Sequence, residues 1–455
     1  MRIVRGQAAD QIVATLAARG AADLSRVEPT VRKIVEAVRR GGDRKLRAYA
    51  EQFDGRAKGQ PLQVPREEIE AAWKSVSPEF KAALKQSAKN IRRYCQWQMP
   101  KSWTRQMAPG LRVGQLVRPL DSVGCYVPGG RYPLPSTVLM TVTPAQVAGV
   151  REITVVSPKP APETLAAAYL LGVDRVFRIG GAQAIAALAY GTESVSKVNK
   201  IVGPGNLYVT AAKRMVAWDC SIDMLAGPTE VVLVSDDGNP AFLAADLVAQ
   251  AEHDPDASAV FVTSSRELAK AVAAEAKIQS KANPIAQQSL KANGVILVAK
   301  SHDQALEYAN AIASEHLTVS AKDVPQVRNA GAVFVGDWSP QAMGDYTSGP
   351  NHVLPTGAAA RFRGGLSVLD YVKIISVQEC SRTGLNGIAK TITTLADAEG
   401  LRAHANSVRV RMSKSAVPHV REANVGNSRR STSTRVPHPS PKERVRVKKS
   451  EAANA

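Results

Sequence analysis

Four of the seven histidines in this 455-residue chain lie close in sequence to a carboxylate or a carboxamide. They occur in the stretches Gln250…His253, Glu315-His316, Asp345…His352 and Glu399…His404. An imidazole beside a carboxylate is the combination that zinc binding and proton transfer near neutral pH both require. The residue types therefore favour an active site.

A zinc site is the first chemistry that these residues suggest. Gln250 and His253 are three residues apart near the end of a predicted helix, so their side chains share one face. Asp345 lies in a glycine-rich stretch, residues 344–352, that we predict to be an irregular binding loop, and His404 lies late in the last predicted helix. Together they would supply nitrogen and oxygen ligands without a thiolate, which suits a catalytic zinc. From spacing alone, a capped helix end remains the alternative for Gln250 and His253.

Proton transfer is the second chemistry. In Glu315-His316 the imidazole can accept a proton from a hydroxyl group, and the carboxylate can activate water. Adjacent side chains point in different directions, so both can serve one pocket only from a turn or a strand end. For the dipeptide alone, a surface Glu beside a capping His remains the alternative.

The organisation of the chain must position these residues. The length predicts two or three packed units. Helices are predicted at residues 30–40, 44–53, 66–73 and 78–97. From Ser122 onward, short apolar strands alternate with glycine-rich turns and helices in two successive blocks, and a final helix is predicted at residues 390–406. This alternation predicts βαβ units and parallel sheets.

Three glycine-rich turns follow predicted strands and precede predicted helices, at residues 126–130, 180–183 and 203–206. Turns of this kind at the ends of parallel strands hold nucleotides, with the phosphates near helix N-termini. None of them has the GxGxxG pattern, so tight packing of a strand against a helix explains each turn equally well on its own.

Composition excludes several classes of protein. The four cysteines form no CxxC pair, which indicates free thiols in a reducing compartment. The sequence lacks an apolar run of about 18 residues, so we expect no membrane span. The first five residues, Met1–Arg5, lead into no apolar block of a signal peptide, so we expect a cytoplasmic protein.

The C-terminal segment, residues 411–455, is strongly basic. It contains eleven Lys and Arg and three Glu, a balance of 11 − 3 = +8 within a chain of net charge +19. It has few large aliphatic residues and no aromatic ones, so we predict a disordered tail. Nonspecific contact with nucleic acid or anionic lipid is one interpretation, and a solvated appendage without a chemical role is the one we favour. Aromatic residues are only 5% of the chain, which argues against a nucleic-acid stacking platform.

The order of the motifs resembles the histidinol dehydrogenase family from about residue 27 to residue 410. The matching stretches are residues 123–130, 135–140, 180–192, 203–206, 223–230, 250–253, 315–317, 344–346 and 351–356. The resemblance implies an α/β fold with two incomplete Rossmann-like parallel-sheet domains and small N- and C-terminal extensions. The implied domains are residues 1–119 with 229–365, residues 120–228 on the NAD side, and a segment exchanged in a dimer, residues 366–410.

The resemblance also implies the reaction. Members of the family oxidise L-histidinol through L-histidinaldehyde to L-histidine, the last steps of histidine biosynthesis. They use two NAD⁺ and one zinc ion per subunit, and they form homodimers with shared active sites. A related zinc and NAD⁺ dehydrogenase that acts on another small polar alcohol is the alternative within enzymes. A basic nucleic-acid-binding protein is the alternative from another class.

The resemblance assigns roles to residues. The implied zinc ligands are Gln250, His253, Asp345 and His404, the last from the partner subunit. His316 is the implied base for the alcohol proton, and Glu315 activates water. The ligands and His316 would also contact substrate, together with Thr229, His352 and Glu399. The implied NAD⁺ contacts are Tyr126, Gln183 and Asn206.

Two positions depart from the family pattern. Thr229 stands where Ser is common and retains the hydroxyl group, and Cys125 stands at a usually apolar position, where we expect it to pack as a small hydrophobic residue. Neither departure puts the implied zinc ligands in doubt.

Overall fold

The computed structural model describes residues 1–20, 24–129 and 132–413. The predicted disordered tail, residues 411–455, lies outside the described residues except for its first three, 411–413. The chain divides into two compact units. The first is Met1–Arg105 with Arg112–Gln378, and the second is Gln106–Leu111 with the described residues from Glu379 onward.

The strands of the described residues are, in chain order, Arg2–Arg5 (β1), Trp103–Ala108 (β2), Leu111–Pro119 (β3), Ser122–Tyr126 (β4), Glu152–Val156 (β5), Val176–Phe177 (β6), Lys200–Val202 (β7), Ser221–Ile222 (β8), Glu230–Val234 (β9), Ser258–Thr263 (β10), Val295–Val298 (β11), His316–Val319 (β12), Ala332–Val335 (β13) and Val372–Cys380 (β14).

The α-helices of the same residues are Gln7–Ala17 (α1), Glu28–Asp54 (α2), Arg66–Ser75 (α3), Pro78–Gln98 (α4), Pro135–Ala148 (α5), Pro162–Leu170 (α6), Gly181–Tyr190 (α7), Leu207–Val216 (α8), Pro240–Ala251 (α9), Arg266–Gln279 (α10), Pro284–Ala292 (α11), His302–Ile312 (α12), Ala342–Tyr346 (α13), Arg382–Ala398 (α14) and Arg402–Met412 (α15).

Two parallel sheets form the centre of the first unit. One has the strand order β6-β5-β4-β7-β8, and the other has the order β1-β11-β10-β9-β12-β13. When β4–β8 are renumbered 1–5 in chain order, the first sheet has the order 3-2-1-4-5. The same order results when β9–β13 are renumbered 1–5, and β1 adds an edge strand to that second sheet. This order is that of the Rossmann fold without its sixth strand. The predicted α/β class with two incomplete Rossmann-like sheets is therefore confirmed.

The central strands are buried along their whole length. Every residue of β4, β9 and β10 is buried, because helices cover both faces of a parallel sheet. Helices α2, α3 and α4 add to the core around the β4–β8 sheet, where Ile34 packs in one cluster with Ile185, and Ile91 in another with Leu139. The predicted break between the first two helices is present as a kink at Gly42 within α2.

Several local predictions were wrong. A three-stranded sheet, β14-β3-β2, was not foreseen. The predicted final helix is interrupted, because Gly400 adopts a φ of +78° between α14 and α15. The glycine-rich stretch around Asp345 was predicted to be an irregular loop, but Asp345 lies in the short helix α13.

All four cysteines are free thiols, and Cys125 is buried as expected for a small hydrophobic residue. Among the described residues, the helices include none with the length and apolar composition needed to cross a membrane.

Candidate active site and cofactor pocket

The candidate acid–base residues lie at the amino ends of two neighbouring strands. β9 and β12 are adjacent and parallel, with His316 in register with Val231. Thr229 directly precedes β9, and Glu315 directly precedes β12. Ala313 has a φ of +54°, so the chain turns sharply between α12 and β12. The adjacent Glu315 and His316 side chains, which follow this turn, are both buried.

A chain of hydrogen bonds joins Gln250 to Glu315. The Gln250 amide donates to the Thr229 hydroxyl, and that hydroxyl donates to Oε2 of Glu315. The backbone N–H of Glu230 donates to the same Oε2 at 3.0 Å. The adjacent Thr229 and Glu230 therefore hold the Glu315 carboxylate, and Gln250 in turn binds the Thr229 hydroxyl.

His316 lies between two carboxylates. Its Nδ1 donates to the carbonyl oxygen of Glu230 at 3.4 Å and lies 3.7 Å from Oε2 of Glu315. Its Nε2 lies 3.7 Å from Oδ1 of Asp345. Because the bond to a carbonyl places a proton on Nδ1, Nε2 of the neutral ring is free to accept a proton.

Burial and charge shift the pKa values of this pair. Burial raises the pKa of Glu315 to about 7, although the neighbouring His316 acts in the opposite direction. Burial lowers the pKa of His316, but the carboxylates of Glu315 and Asp345 outweigh that effect, and the net shift is upward. Glu315 therefore suits proton transfer near neutral pH.

Two further histidines surround Asp345. Nδ1 of His352 donates to the carbonyl oxygen of Asp345 at 2.9 Å, and its Nε2 lies 3.3 Å from the Thr137 hydroxyl. Burial raises the pKa of Asp345, but His316, His352 and His253 outweigh that effect and lower it overall. His253 itself is exposed, just beyond the end of α9. A cavity of about 530 Å³ lined in part by His316, Phe334 and His352 adjoins this group.

The donor types in this group suit zinc. Gln250, His253 and Asp345 offer oxygen and nitrogen donors. The three buried cysteines stay as neutral thiols near neutral pH, because burial raises the pKa of Cys95 and Cys220 to about 11 and that of Cys125 to about 12. Among the described residues, there is no group of three or more His, Cys, Asp or Glu side chains arranged to hold a metal ion.

The other predicted site residues, Glu399 and His404, belong to the second unit. Glu399 directly follows α14, and His404 lies in the first turn of α15, not late in a helix as predicted. Both residues are exposed.

The three predicted cofactor residues line a separate cavity of about 450 Å³, at the carboxyl ends of β4, β6 and β7. The Tyr126 hydroxyl accepts the backbone N–H of Gly181 at 3.1 Å. Asn206 caps α8 by accepting the N–H groups of Tyr208 and Val209. The cavity therefore opens beside the N-termini of α7 and α8, where a phosphate is favoured.

Asp54, at the end of α2, is a cavity residue that sequence reasoning missed. Its Oδ2 accepts the backbone N–H of Gly180 at 3.1 Å and Nε2 of Gln183 at 3.2 Å. It therefore orients a predicted cofactor residue. Its only sequence signal is the helix end Asp54-Gly55, and that signal does not indicate a ligand.

Comparison with known proteins identifies the family. The sequence model described as "Histidinol dehydrogenase" matches residues 17–412, which is most of the chain. The chain belongs to the histidinol dehydrogenase family. It is therefore an oxidoreductase, and the resemblance noted in the sequence is confirmed.

Curated histidinol dehydrogenases agree over nearly their whole length. The one from Methanothermobacter thermautotrophicus is 45% identical over 416 residues, covering 88% of this chain and 97% of the relative. The one from Syntrophotalea carbinolica is 47% identical over 413 residues, covering 88% and 96%. The crystal structure of histidinol dehydrogenase from Elizabethkingia anophelis aligns with a TM-score of 0.86 at 34% identity, covering 90% of this chain and 98% of that one.

Proposed function

We propose that this enzyme oxidises L-histidinol through L-histidinaldehyde to L-histidine with two NAD⁺, and that it depends on one zinc ion per subunit. The observation that supports the proposal most directly is the hydrogen-bonded chain from Gln250 through Thr229 to Glu315, beside His316 and Asp345. These contacts join Gln250, Glu315, His316 and Asp345 in one group, and membership of this family supports the roles proposed for them.

We assign two proton-transfer roles. In the first oxidation, Nε2 of His316 takes the hydroxyl proton of the alcohol. Hydride leaves the carbon that bears that hydroxyl group. In the second, Glu315 takes a proton from the water that adds to the aldehyde carbon. The Glu315 pKa of about 7 keeps an appreciable fraction of its carboxylate deprotonated at neutral pH.

The two cofactors have separate roles in this proposal. Gln250, His253 and Asp345 would hold zinc with His404 of the partner, and zinc would supply a template that fixes the imidazole and amine of the substrate. Tyr126, Gln183 and Asn206 would bind NAD⁺, which accepts hydride in each oxidation. Holding the substrate in position then contributes much of the rate.

Substrate binding completes the assignment. We propose that His352 and Thr229 contact L-histidinol together with the zinc ligands and His316, and that Glu399 reaches it from the exchanged C-terminal segment of a homodimer. The partly buried His352, with its pKa lowered by burial, would remain neutral. Because its Nδ1 donates to the carbonyl oxygen of Asp345, its Nε2 would accept a hydrogen bond from the substrate.

We further propose domain boundaries at residues 119/120, 228/229 and 365/366, and a cytoplasmic location. The strands of the β4–β8 sheet fall within residues 120–228, and the other parallel sheet takes its strands from outside that range. The four free thiols agree with a reducing compartment.

The test is the stoichiometry of the reaction in the purified full-length enzyme. Two NADH formed per L-histidinol, with a zinc-to-subunit ratio of about one, is the expected result. Absence of turnover with L-histidinol, together with turnover of another small polar alcohol, would favour the alternative substrate. NADH formation that is unaffected by complete removal of zinc would contradict the zinc assignment.

A further inference from the structure

A single residue outside the proposed catalytic and binding set touches both proton-transfer groups through its backbone. The N–H of Glu230 donates to Oε2 of Glu315 at 3.0 Å, and its carbonyl oxygen accepts Nδ1 of His316 at 3.4 Å. The position of these two side chains therefore depends on where the backbone of Glu230 lies.

The carboxylate of Glu230 has partners of its own, although its charge also acts on Glu315: burial raises the pKa of Glu315 to about 7, and the nearby Glu230 adds to that upward shift. Successive side chains along a strand alternate between its faces, and the Thr229 hydroxyl on one face contacts Gln250 and Glu315. On the other face, the Glu230 carboxylate is almost fully buried and forms an ion pair with Nη2 of Arg19 at 2.7 Å. It also accepts the backbone N–H of Gly357.

Arg19 is itself held in place. Its Nε donates to the carbonyl oxygen of Leu16 at 2.9 Å, in the last turn of α1. The ion pair therefore links α1 to the first residue of β9, across 211 positions of sequence. A buried carboxylate with charged and backbone partners on two sides has little freedom to move.

We propose that Glu230 is a positioning residue and that Arg19 anchors it, so that the Arg19–Glu230 pair holds Glu315 and His316 in reactive geometry without touching substrate. This inference rests on the proposed function, because it concerns the two groups assigned to proton transfer. It gives Arg19, just beyond the end of α1, a role in the reaction.

The test compares kcat with KM in the full-length enzyme. Arg19→Met and Glu230→Gln should each lower kcat about 10- to 100-fold for both L-histidinol and L-histidinaldehyde, because a small displacement of reacting groups costs that much. The KM for L-histidinol should change much less than kcat, because His316 is only one of several proposed substrate contacts. The KM for NAD⁺ and the zinc content should stay close to wild type, since the residues proposed to bind them are unchanged. Arg19→Lys keeps the positive charge and should recover part of kcat.

Lys200→Met is the matched control. It removes the ion pair between Lys200 and Asp370, which has a similar length of 2.9 Å. Both side chains are largely buried, and in the described structure this ion pair does not involve the proposed site residues. It should lower thermal stability while kcat stays near wild type.

The outcomes separate this inference from the proposed function. A wild-type enzyme without turnover of L-histidinol would overturn the proposed function. An active wild type with wild-type kcat in Glu230→Gln, or with equal losses in Arg19→Met and Lys200→Met, would overturn the positioning role. If Arg19→Met does not fold, the nearly isosteric Glu230→Gln and the charge-preserving Arg19→Lys decide the question by the same kcat comparison.

Discussion

At the scale of single residues, the site depends on buried polar groups whose hydrogen bonds are satisfied by other groups of the protein. Glu315 is 7% exposed and accepts hydrogen bonds from a hydroxyl and a backbone N–H. Burial shifts the pKa of Glu315 upward. The charge of the neighbouring His316 and the two hydrogen bonds act in the opposite direction and limit the shift. The result is a carboxyl group whose protonation changes near neutral pH, where a catalytic base is most effective.

The first prediction concerns Glu315→Gln. The variant should retain the first oxidation, because His316 is unchanged, and should lose about 10²- to 10⁴-fold in the second, which needs a base for water. The measurement is NADH per L-histidinol in a single turnover, expected to fall from two to one. Two NADH at the wild-type rate would show that Glu315 does not activate water.

The pH dependence of the wild type follows from the same carboxyl group. Only the deprotonated form accepts a proton, so L-histidinaldehyde oxidation should fall as pH decreases through about 7, approaching about tenfold per unit. The residual activity of Glu315→Gln should lack this decline. The assignment would be contradicted if the wild type and Glu315→Gln oxidised L-histidinaldehyde at about the same rate and that rate stayed constant from pH 5 to 8.

The second prediction concerns the hydroxyl that joins Gln250 to Glu315. Thr229→Val keeps the shape but leaves both partners without that bond, at a cost of about 1–3 kcal/mol, which corresponds to roughly 5- to 150-fold in kcat/KM for L-histidinol. Thr229→Ser keeps the hydroxyl and is the control, expected within about threefold of wild type. Equal kcat/KM in Thr229→Val and Thr229→Ser would show that the Thr229 hydroxyl does not contribute to the reaction.

At the scale of helices and strands, the two parallel sheets are used at opposite ends. The proposed cofactor cavity lies at the carboxyl ends of β4, β6 and β7, as expected for a Rossmann-like sheet. The residues proposed for proton transfer, Glu315 and His316, instead lie at the amino ends of β9 and β12. The adjacent Glu315 and His316 side chains, which follow the turn at Ala313, are both buried there.

The third prediction concerns the turn between β7 and α8. Gly203 has a φ of +111°, and an added Cβ would lie 2.1 Å from the carbonyl oxygen of Tyr126, a proposed NAD⁺ contact. Gly203→Ala should therefore displace the cavity wall and weaken NAD⁺ binding about 5- to 100-fold, as measured by calorimetry.

Gly172→Ala is the control for backbone strain alone. Gly172 has a φ of +67°, and an added Cβ there would meet no atom within 4 Å. This variant should cost about 1–2 kcal/mol of stability and leave NAD⁺ binding unchanged. Equal NAD⁺ affinity in the two variants would show that the Gly203 turn does not shape the cavity.

At the scale of the whole molecule, the proposed zinc ligands are divided between two units. Gln250, His253 and Asp345 belong to the first unit, and His404 belongs to the second. In the proposed dimer, each site takes its His404 from the partner subunit. This arrangement makes activity depend on assembly, and mixed dimers test that dependence.

The fourth prediction is complementation between inactive variants. His404→Ala and His316→Ala should each be inactive, and a mixed dimer should contain one site with both wild-type residues. Random exchange at equal amounts makes half of the dimers mixed, so about one quarter of wild-type activity is expected. No recovery, with subunit exchange verified by mass spectrometry, would show that the sites are not shared.

The sequence alone determined the fold class and the family. Alternating apolar strands, glycine turns and helices are local patterns, so they predict parallel sheets without knowledge of tertiary contacts. Local patterns failed where one residue changed the outcome. Gly400 divides the predicted last helix, and the glycine-rich stretch around Asp345 closes into a short helix.

Only the tertiary structure decided which residues meet. The Thr229 hydroxyl lies 21 positions from Gln250 and 86 from Glu315, and Arg19 lies 211 positions from Glu230. Such contacts arise because crossover connections place β9 beside β12, and because β1, which α1 follows, pairs with the same sheet. The composition of a single segment contains no information about that pairing, which depends on how the whole core is buried.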